Sequence, residues 1–434
     1  MNKHCRVVIT GMGVVSPVSL SLEGLWEALT CGRSGVRPLV SDGGVPLPIR
    51  YSSAITDFTG DVEQFGELDA NLNKSIRKAS KTMSREILMA VAATNLALNN
   101  ARWSQGQIPP QRVGVSFGSD YIVTTPEELM TGVQTCITDG KFDFTRWAAK
   151  GLPKMTPLWQ LKYLPNMPAS HVAILNDFEG PSNSMTLREA SVGAVIGESV
   201  NIIRNGKADA MLVGTTGTRV HPYKLVQAIQ LEDLTPPDAD PVTACRPFDR
   251  DRCGTVLGEG AGAMLLESEQ SAQKRGATIL AEVVAGTYSS TFDKSGNDRR
   301  EETLVRVMKR LFELTETKPN EIGHINAHGL GSISCDRAES QAIKKIFGDY
   351  DIPVTTAKGN FGNLGAGSGT IELIAGVLTI KNQTLFPTLN YKTHAPDCPI
   401  KVVKEEQTTK NQSFIKLTVN PQSQASAVLV RKYE

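Results

Sequence analysis

Short apolar runs alternate with helical patterns along almost the whole chain, and this alternation is the feature that most restricts its fold. Residues 7–10, 113–117 and 211–213 are β-branched or apolar runs of strand length. Between them, apolar residues recur at helical spacing over 22–29 and 192–203. Strands that alternate with helices predict an α/β protein whose sheets are mostly buried.

The second part of the chain continues the same order of elements. Further strands are predicted at 184–187, 264–266, 279–285, 325–327, 354–355, 414–417 and 427–430. Further helices are predicted at 76–98, 303–314, 336–346 and 369–380. Residues 38–50 are rich in Pro and Gly and predict a loop, and residues 120–170 have no clean period and predict an insertion. The order of elements makes two similar halves plausible, an N-terminal half over residues 1–262 and a C-terminal half over residues 263–434.

The balance of charges excludes partners that bind through a strong global field. The 434 residues contain 46 Lys and Arg against 45 Asp and Glu, a formal net charge of +1, so neither nucleic acid nor an anionic membrane is expected as a partner. The longest apolar stretches are interrupted by polar residues and stay well short of the about 20 residues that a membrane span needs. No signal-like apolar region precedes the first strand, which predicts a cytoplasmic protein.

The cysteines, histidines and glycines predict neither a metal nor a cofactor. The seven cysteines are odd in number and scattered without a C-x-x-C pair, which favours reduced thiols. The six histidines show no metal-ligand spacing. Gly11-Met12-Gly13 resembles the start of a dinucleotide-binding loop, but Ser16 stands where that loop needs Gly or Ala, and Pro17 blocks a helix there.

Three motifs are too specific for a generic α/β protein. They are RPFDRDRCG at 246–254 leading into GEGAG at 258–262, NAHG at 326–329 followed by Asp336 and Glu339, and TAKGNFG at 356–362 followed by PTLN at 387–390. Together with RVVITGMGVVSP and GRSGVRPL near the N-terminus, these motifs resemble the β-ketoacyl-[acyl-carrier-protein] synthases of types I and II, in the thiolase superfamily. The resemblance implies a thiolase-type five-layered α-β-α-β-α sandwich of two similar halves.

The resemblance also implies a reaction and the groups that carry it. Members of the family are 3-oxoacyl-[acyl-carrier-protein] synthases, acyltransferases that condense an acyl chain with malonyl-carrier protein in fatty acid and polyketide synthesis. A Cys at the start of a buried helix becomes the acyl thioester. Two His and a Lys promote decarboxylation and stabilise the enolate oxygen, and backbone N–H groups form an oxyanion hole.

This chain departs from the family pattern at the nucleophile and at the second His. Counting from Gly180, Glu189 stands at the Cys position, and a carboxylate cannot form the thioester. His328 and Lys358 keep the first His and the Lys. Asn363 takes the second His position, where an amide cannot transfer a proton near neutral pH.

Two parts that would contact substrate also differ. Leu330 and Ser332 stand where the family has hydroxyls for the pantetheine amides, so one hydrogen bond is lost. In the segment 419–425, Pro421 and Gln422 replace part of a glycine-rich loop that gates the acyl pocket and supplies an oxyanion donor. Four concerted losses predict that this chain has abandoned condensation.

Plainer interpretations of the same residues stay open. Glu189 is either a favourable carboxylate cap at a helix start or a plug that fills the acyl site, paired with Arg188. His328 and Lys358 are either remnants of the catalytic machinery or a core pair kept for packing. Cys335 lies close to His328 in sequence, which makes a substitute nucleophile a further alternative.

These features suggest three hypotheses about function. The first is a non-condensing subunit similar to the chain-length factors of type II polyketide systems, which lack the Cys and pair with an active ketosynthase. The second is a malonyl-thioester decarboxylase, although an ionised Glu189 would repel the malonyl carboxylate. The third is a homodimeric scaffold that binds acyl carrier protein. The implied partners are acyl carrier protein and a second ketosynthase-like chain, in a homodimer or a heterodimer joined through the strand that precedes Glu189.

Overall fold

The structure is a computed structural model, and it describes residues 5–39, 49–409 and 412–434. The strands are β1 Val7–Val15, β2 Arg37–Pro38, β3 Tyr51–Ser52, β4 Val113–Ser119, β5 Ile137–Thr138, β6 Lys141–Phe142, β7 Ser182–Met185, β8 Ala210–Thr218, β9 Glu259–Ser268, β10 Ala281–Ser290, β11 His324–Asn326, β12 Pro353–Thr355, β13 Thr384–Leu385, β14 Lys401–Val402, β15 Gln407–Thr408, β16 Ser413–Val419 and β17 Gln424–Arg431. The helices are α1 Leu22–Thr30, α2 Ala70–Ala79, α3 Arg85–Asn100, α4 Pro126–Gln134, α5 Met167–Asn176, α6 Ser191–Arg204, α7 Pro222–Leu231, α8 Glu269–Lys274, α9 Arg300–Thr315, α10 Ile333–Phe347, α11 Lys358–Phe361 and α12 Gly367–Asn382.

Within the described ranges, one mixed sheet of 11 strands runs through the molecule in the order β14-β12-β11-β16-β17-β10-β1-β9-β8-β4-β7. The order contains a repeat, because β7-β4-β8-β9-β1 of the first half corresponds to β12-β11-β16-β17-β10 of the second. In each half, three neighbouring strands are parallel and the next two are antiparallel. The half-sheets meet where β1 pairs with β10 through Val8↔Glu282 and Ile9↔Ala281. The predicted pair of similar halves is confirmed.

Helices on the faces of the two half-sheets complete five layers. Helices α3 and α5 pack on the first half-sheet, and α9 packs on the second with α10 beside it. Helices α6 and α12 contact strands of both halves and form the middle layer. Because both sides of α12 are covered, its residues are buried from Gly367 to Ile380, which explains the apolar run in the sequence. The predicted α-β-α-β-α sandwich is confirmed.

The boundary predicted after residue 262 lies inside β9, at Glu259–Ser268. Since β9 belongs to the first half-sheet and β10 opens the second, we propose a division between residues 268 and 281 instead. Most of the loop predicted at 38–50 falls at 40–48, outside the described residues. Residues 120–170 contain α4, the β5–β6 ribbon and the start of α5, and add no strand to the large sheet.

Most predicted elements begin or end at other residues in the structure. The single helix over 76–98 is wrong, because Met83 is extended, with φ −104° and ψ 137°, and divides it into α2 and α3. Strand β1 continues through Gly11 and Gly13, whose missing side chains let α3 pack directly on the strand. The strand predicted at 184–187 begins two residues earlier, as β7. No helix in the described parts of the chain is long and apolar enough to cross a membrane.

Candidate active site

Glu189 lies in a tight turn between β7 and the middle helix α6. The turn, Arg188–Ala190, is a single 3₁₀ turn, and Arg188 has a left-handed φ of 51° that non-glycine residues rarely adopt. This conformation directs the Glu189 side chain inward, where only 1% of it is exposed. Glu189 therefore does not cap α6 from the surface but is buried at its entrance.

Two arginines and a second glutamate surround Glu189 and form a quartet of buried charges. Glu189 Oε1 accepts hydrogen bonds from Arg219 Nη1 at 3.0 Å and from Arg188 Nη2 at 3.4 Å. Glu232 Oε1 accepts one from Arg188 Nη2 at 2.8 Å and a short one from Arg219 Nη2. Arg219 follows β8 and Glu232 follows α7, so the quartet joins three segments of the first half.

The quartet keeps Glu189 ionised. Burial alone raises the pKa of Glu189, but the charges of Arg188 and Arg219 and the Asn363 amide outweigh burial and lower that pKa below its ordinary value. The same cluster raises the pKa of Arg188 against the opposing effect of burial. The predicted pairing of Glu189 with Arg188 is present, and Arg219 is a second partner.

Asn363 connects the second half of the chain to Glu189. Its Nδ2 donates to Glu189 Oε1 at 3.0 Å, and its Oδ1 accepts from the Gly365 N–H at 3.0 Å. Its backbone N–H donates to the Val256 carbonyl, and its carbonyl accepts from Gly258. Because its Oδ1 and its backbone are bonded to groups other than Glu189, the position of Asn363 does not rest on Glu189 alone.

His328 is buried and neutral in the loop that follows β11. Carboxylate oxygens of Glu339 accept from the His328 N–H at 2.7 Å and the Gly329 N–H at 2.8 Å, which anchors the loop to α10. Burial lowers the pKa of His328 well below its ordinary value, and the charges of Lys358, Lys416 and Arg188 lower it further. The His328 Nδ1 has no hydrogen-bond partner among the described residues.

Lys358 belongs to a second cluster of buried charges, made of Lys358, Glu372 and Lys416. Its Nζ donates a short hydrogen bond to Glu372 Oε1, and the Lys416 Nζ lies 2.6 Å from Glu372 Oε2. All three side chains are 0% exposed. Lys416 also donates to the carbonyls of Ala327 at 3.0 Å and Leu417 at 2.7 Å. This triad lies beside the backbone of the His328 loop.

Leu330 and Ser332 lie farther along that loop and are both engaged by the protein itself. The Leu330 N–H donates to Asp336 Oδ1 at 2.9 Å, and its side chain is buried. The Ser332 hydroxyl donates to Asp233 Oδ2 at 2.7 Å and caps the start of α10 by accepting from the Cys335 N–H. Ser332 thus ties the His328 loop to the segment that carries Glu232.

Pro421 and Gln422 lie at the exposed turn between β16 and β17. Asn420 organises this turn, since its Oδ1 accepts from the Gln422 and Gln424 N–H groups at 3.0 Å each. Its Nδ2 donates to the Leu187 carbonyl at 3.2 Å, next to the Arg188 turn. The turn therefore touches the entrance of the site through Asn420, a residue that the sequence analysis did not single out.

The cysteines of the described chain offer no activated thiol at Glu189. Cys335 is buried in the first turn of α10, and burial raises its pKa despite the nearby charge of Arg300. Burial likewise raises the pKa of Cys245 and Cys253. A thiol whose pKa is raised is a poor nucleophile. Across the described residues, no cluster of His, Cys, Asp and Glu has the arrangement of a metal site.

Sequence reasoning missed four residues of the two clusters: Arg219, Glu232, Glu372 and Lys416. Glu372 and Lys416 carried a signal, because Glu372 interrupts the apolar run 371–380 and Lys416 is the single charge of β16. Arg219 and Glu232 flank α7 in polar surroundings and carry no local signal of burial.

The five-layered α-β-α-β-α sandwich of two similar halves is the fold of the thiolase superfamily. Residues 4–272 match the family described as "Beta-ketoacyl synthase, N-terminal domain", and residues 280–392 match "Beta-ketoacyl synthase, C-terminal domain". The chain therefore belongs to the β-ketoacyl synthase family.

Several curated and solved relatives extend over nearly the whole chain. The 3-oxoacyl-[acyl-carrier-protein] synthase 2 of Synechocystis sp. is 31% identical over 405 residues, 92% of this chain and 91% of the relative. The tetracenomycin polyketide synthase ketoacyl synthase alpha subunit of Streptomyces glaucescens is 29% identical over 408 residues, 93% of this chain and 92% of the relative.

Among solved structures, a β-ketoacyl synthase from Burkholderia phymatum superposes with a TM-score of 0.86 at 26% identity, over 99% of this chain and 100% of that one. The ishigamide ketosynthase/chain length factor superposes with a TM-score of 0.84 at 24% identity, over 99% and 100% of the two chains, and shares the fold.

Proposed function

We propose that this chain is a non-condensing ketosynthase homologue of fatty acid or polyketide synthesis, similar in role to a chain-length factor. The observation that carries the proposal is the environment of Glu189. This residue stands at the family's nucleophile position, and two arginines and Asn363 hold it as a buried carboxylate. An ionised carboxylate in that position forms no acyl thioester, and it fills the space that a thioester would need.

The remaining groups support the loss of condensation. A neutral His328 is retained, but Asn363 replaces the second proton-transferring group and already donates to Glu189. Leu330 has no hydroxyl for pantetheine, and the Ser332 hydroxyl is bonded to Asp233. Because substrate contacts and reactive groups are changed together, restoring a single group does not restore the reaction.

Decarboxylation of malonyl thioesters is less well supported. A malonyl carboxylate entering the site would meet the ionised Glu189. The two arginines that could attract a malonyl carboxylate are already bonded to Glu189 and Glu232. The quartet thus holds two positive and two negative charges and leaves no net attraction for a third carboxylate.

Pairing with a second ketosynthase-like chain is supported by the exposed edge of the sheet. Strand β7 is the last strand in the sheet and has β4 as its neighbour among the described residues. An unpaired edge strand offers its N–H and C=O groups to a partner strand. The segment 120–170 adds exposed apolar side chains, including Phe144 at 74% and Leu158 at 71% exposure, which are typical of an interaction surface.

A basic helix provides a candidate surface for acyl carrier protein. Helix α2 carries Lys74, Arg77 and Lys78, all exposed, and contains no Asp or Glu within its bounds. Lys81 follows in the next turn and is also exposed. We propose that this surface binds an acidic face of the carrier protein, because opposite charges steer association. A solved relative in fold is the ketosynthase AntDE in complex with the acyl-carrier protein AntF.

The proposal is tested by offering the purified protein acyl- and malonyl-loaded carrier protein or coenzyme A. We expect no acyl adduct by intact-protein mass spectrometry and no β-ketoacyl product, while the Synechocystis relative serves as the active control. A stable acyl adduct, or condensation product, would contradict the proposal. Release of carbon dioxide without condensation would favour the decarboxylase.

The pairing is tested by light scattering on the protein alone and after co-expression with an intact ketosynthase. We expect a heterodimer, since obligate interfaces of this kind bury about 2,000 Å² or more and leave a separated subunit poorly stable. A stable homodimer that does not associate with the ketosynthase would favour the homodimeric scaffold that binds acyl carrier protein. A monomer at micromolar concentration would contradict both.

A further inference from the structure

The surroundings of Glu189 have the properties of a binding site for a small carboxylate, filled by a side chain of the same protein. Three donors converge on Glu189 Oε1, namely Arg219 Nη1 at 3.0 Å, Asn363 Nδ2 at 3.0 Å and Arg188 Nη2 at 3.4 Å. Guanidinium groups are the side chains best suited to carboxylates in buried sites. We infer that Arg188, Arg219 and Asn363 form a carboxylate receptor that binds free carboxylates of the size of acetate once Glu189 is shortened.

The donors of this receptor are held in place by groups other than Glu189. Glu232 bonds both arginines through Oε1 and holds them together. The Asn363 amide is oriented by its own bond from Gly365 and by its paired backbone. Removing the Glu189 carboxylate therefore leaves three donors in position and two guanidinium groups bonded to one carboxylate, that of Glu232. The buried Asp120 also acts on both guanidinium groups through its charge, but burial raises the pKa of Asp120. Two guanidinium groups that share one bonded carboxylate favour a further anion.

Glu189 does not satisfy the receptor completely. Its Oε2 is buried and has no hydrogen-bond partner among the described residues, although the whole side chain is 1% exposed. The tether to the Arg188–Ala190 turn restricts where the carboxylate can lie. An untethered carboxylate of the same size has more freedom to place both oxygens against the donors.

The size of the receptor follows from the atoms that a Glu-to-Ala change removes. Alanine keeps Cβ and loses Cγ, Cδ and both carboxylate oxygens. Acetate contains the same atoms in the same connectivity, with its methyl group in place of Cγ. Acetate is therefore the probe that refills the space without adding atoms, and larger carboxylates require further room.

In the natural protein, Glu189 excludes the carboxylate of a malonyl thioester from this receptor. This role of Glu189 rests on the proposed function. A tethered group competes at an effective concentration of about millimolar or higher. Because the pKa of Glu189 lies below its ordinary value, its carboxylate stays ionised at neutral pH and competes with the malonyl carboxylate. The Glu189 side chain thus occupies the receptor in the natural protein.

The test is the thermal stability of the full-length Glu189→Ala variant in sodium acetate and in sodium chloride of equal ionic strength and pH. We expect a lower Tm than the wild type in chloride, and a saturable rise with acetate, as for any ligand that binds the native state. The wild type should show no rise specific to acetate. Formate should act more weakly, because it lacks the methyl group.

Two variants serve as controls. Glu189→Gln fills the receptor with a neutral side chain of equal size, so acetate should not raise its Tm. The double variant Glu189→Ala/Arg219→Met lacks one cationic donor and should lose most of the acetate effect. An acetate effect of equal size in Glu189→Gln would overturn the inference. So would the absence of any effect in Glu189→Ala, including a variant that stays unfolded in both salts. Acyl transfer by the wild type would instead refute the proposed function and leave this result standing.

Discussion

The two buried charge clusters of the site differ in how they balance their charges. The quartet around Glu189 holds two cations and two anions, and each guanidinium contacts both carboxylates. The triad around Lys358 holds two ammonium groups that share the single carboxylate of Glu372. A buried charge without a partner is strongly destabilising. In the quartet, each arginine keeps one carboxylate partner if the other carboxylate is lost. In the triad, both lysines lose their partner if Glu372 is lost.

The difference follows the origin of the two clusters in the fold. The quartet belongs to the first half and contains Glu189, the residue that we propose at the family's nucleophile position. The triad belongs to the second half and contains Lys358 of the TAKG motif. Under this proposal, the side of the quartet is the rebuilt side, a closed network of ion pairs. The side of the triad is the retained side, where two ammonium groups share one carboxylate beside the neutral His328.

The strongest test of this comparison removes the shared carboxylate. We expect Glu372→Gln to lower the free energy of unfolding by about 3–5 kcal/mol, because two buried ammonium groups lose their counter-charge. Glu232→Gln is the matched control in the quartet, where Glu189 still faces both arginines, so its loss should be smaller. Chemical denaturation of both variants measures the difference. Equal losses would show that the clusters do not differ in this way.

A second test asks whether the rebuilt side can be reverted. We expect Glu189→Cys to form no β-ketoacyl product, because Asn363, Leu330 and Pro421 leave other groups missing. The absence of one preorganised donor alone costs about 2.7–4 kcal/mol of transition-state stabilisation. The new thiol should still alkylate with iodoacetamide, since Arg188 and Arg219 favour a thiolate. Mass spectrometry measures both outcomes, and turnover by this single variant would contradict the prediction.

A third test measures how the stability of the protein depends on pH through a buried histidine of the retained side. His324 is buried against Phe414 with a ring-centroid distance of 5.3 Å, and burial lowers its pKa to about 3. Because the unfolded chain binds the proton more tightly, His324 makes stability fall as the pH decreases from about 6.5 towards 3. Between pH 7 and 5.5 the loss is about 1 kcal/mol. His324→Leu should remove this part of the pH dependence, and an unchanged slope in denaturation experiments would contradict the assignment.

The smallest effect concerns the link between the two sides. Ser332 caps α10 and bonds Asp233, the neighbour of Glu232. Ser332→Ala should cost about 1 kcal/mol of stability, as for other N-cap serines. Ser21→Ala, at the cap of α1, is the matched control because Ser21 makes the capping bond outside the site. A cost for Ser332→Ala below that of Ser21→Ala would show that the bond to Asp233 contributes nothing.

The fold could be predicted from the sequence because its evidence is local. Each apolar run is long enough to identify a strand or a helix, whereas the two halves follow mainly from the family motifs. The break between α2 and α3 could not be predicted, because the apolar pattern of Ile76, Met83 and Ile87 continues across the extended Met83.

Only part of the site could be predicted, because only part of its evidence is local in the sequence. Glu189, His328, Lys358 and Asn363 are predicted by counting along the chain from the family motifs. Arg219 and Glu232 owe their role to pairing across three separate segments, and neither lies in a motif. Charge pairing at long sequence separation leaves no periodic pattern, so only the three-dimensional arrangement brings the quartet together.

The repeated sheet order has a consequence for where the site lies. Each half supplies its own cluster, and in the described structure the Asn363 amide donates across to Glu189 from the other repeat. A duplicated architecture of this kind places the site between its two repeats, so that a substitution in either repeat, at Glu189 or at Asn363, alters the same site.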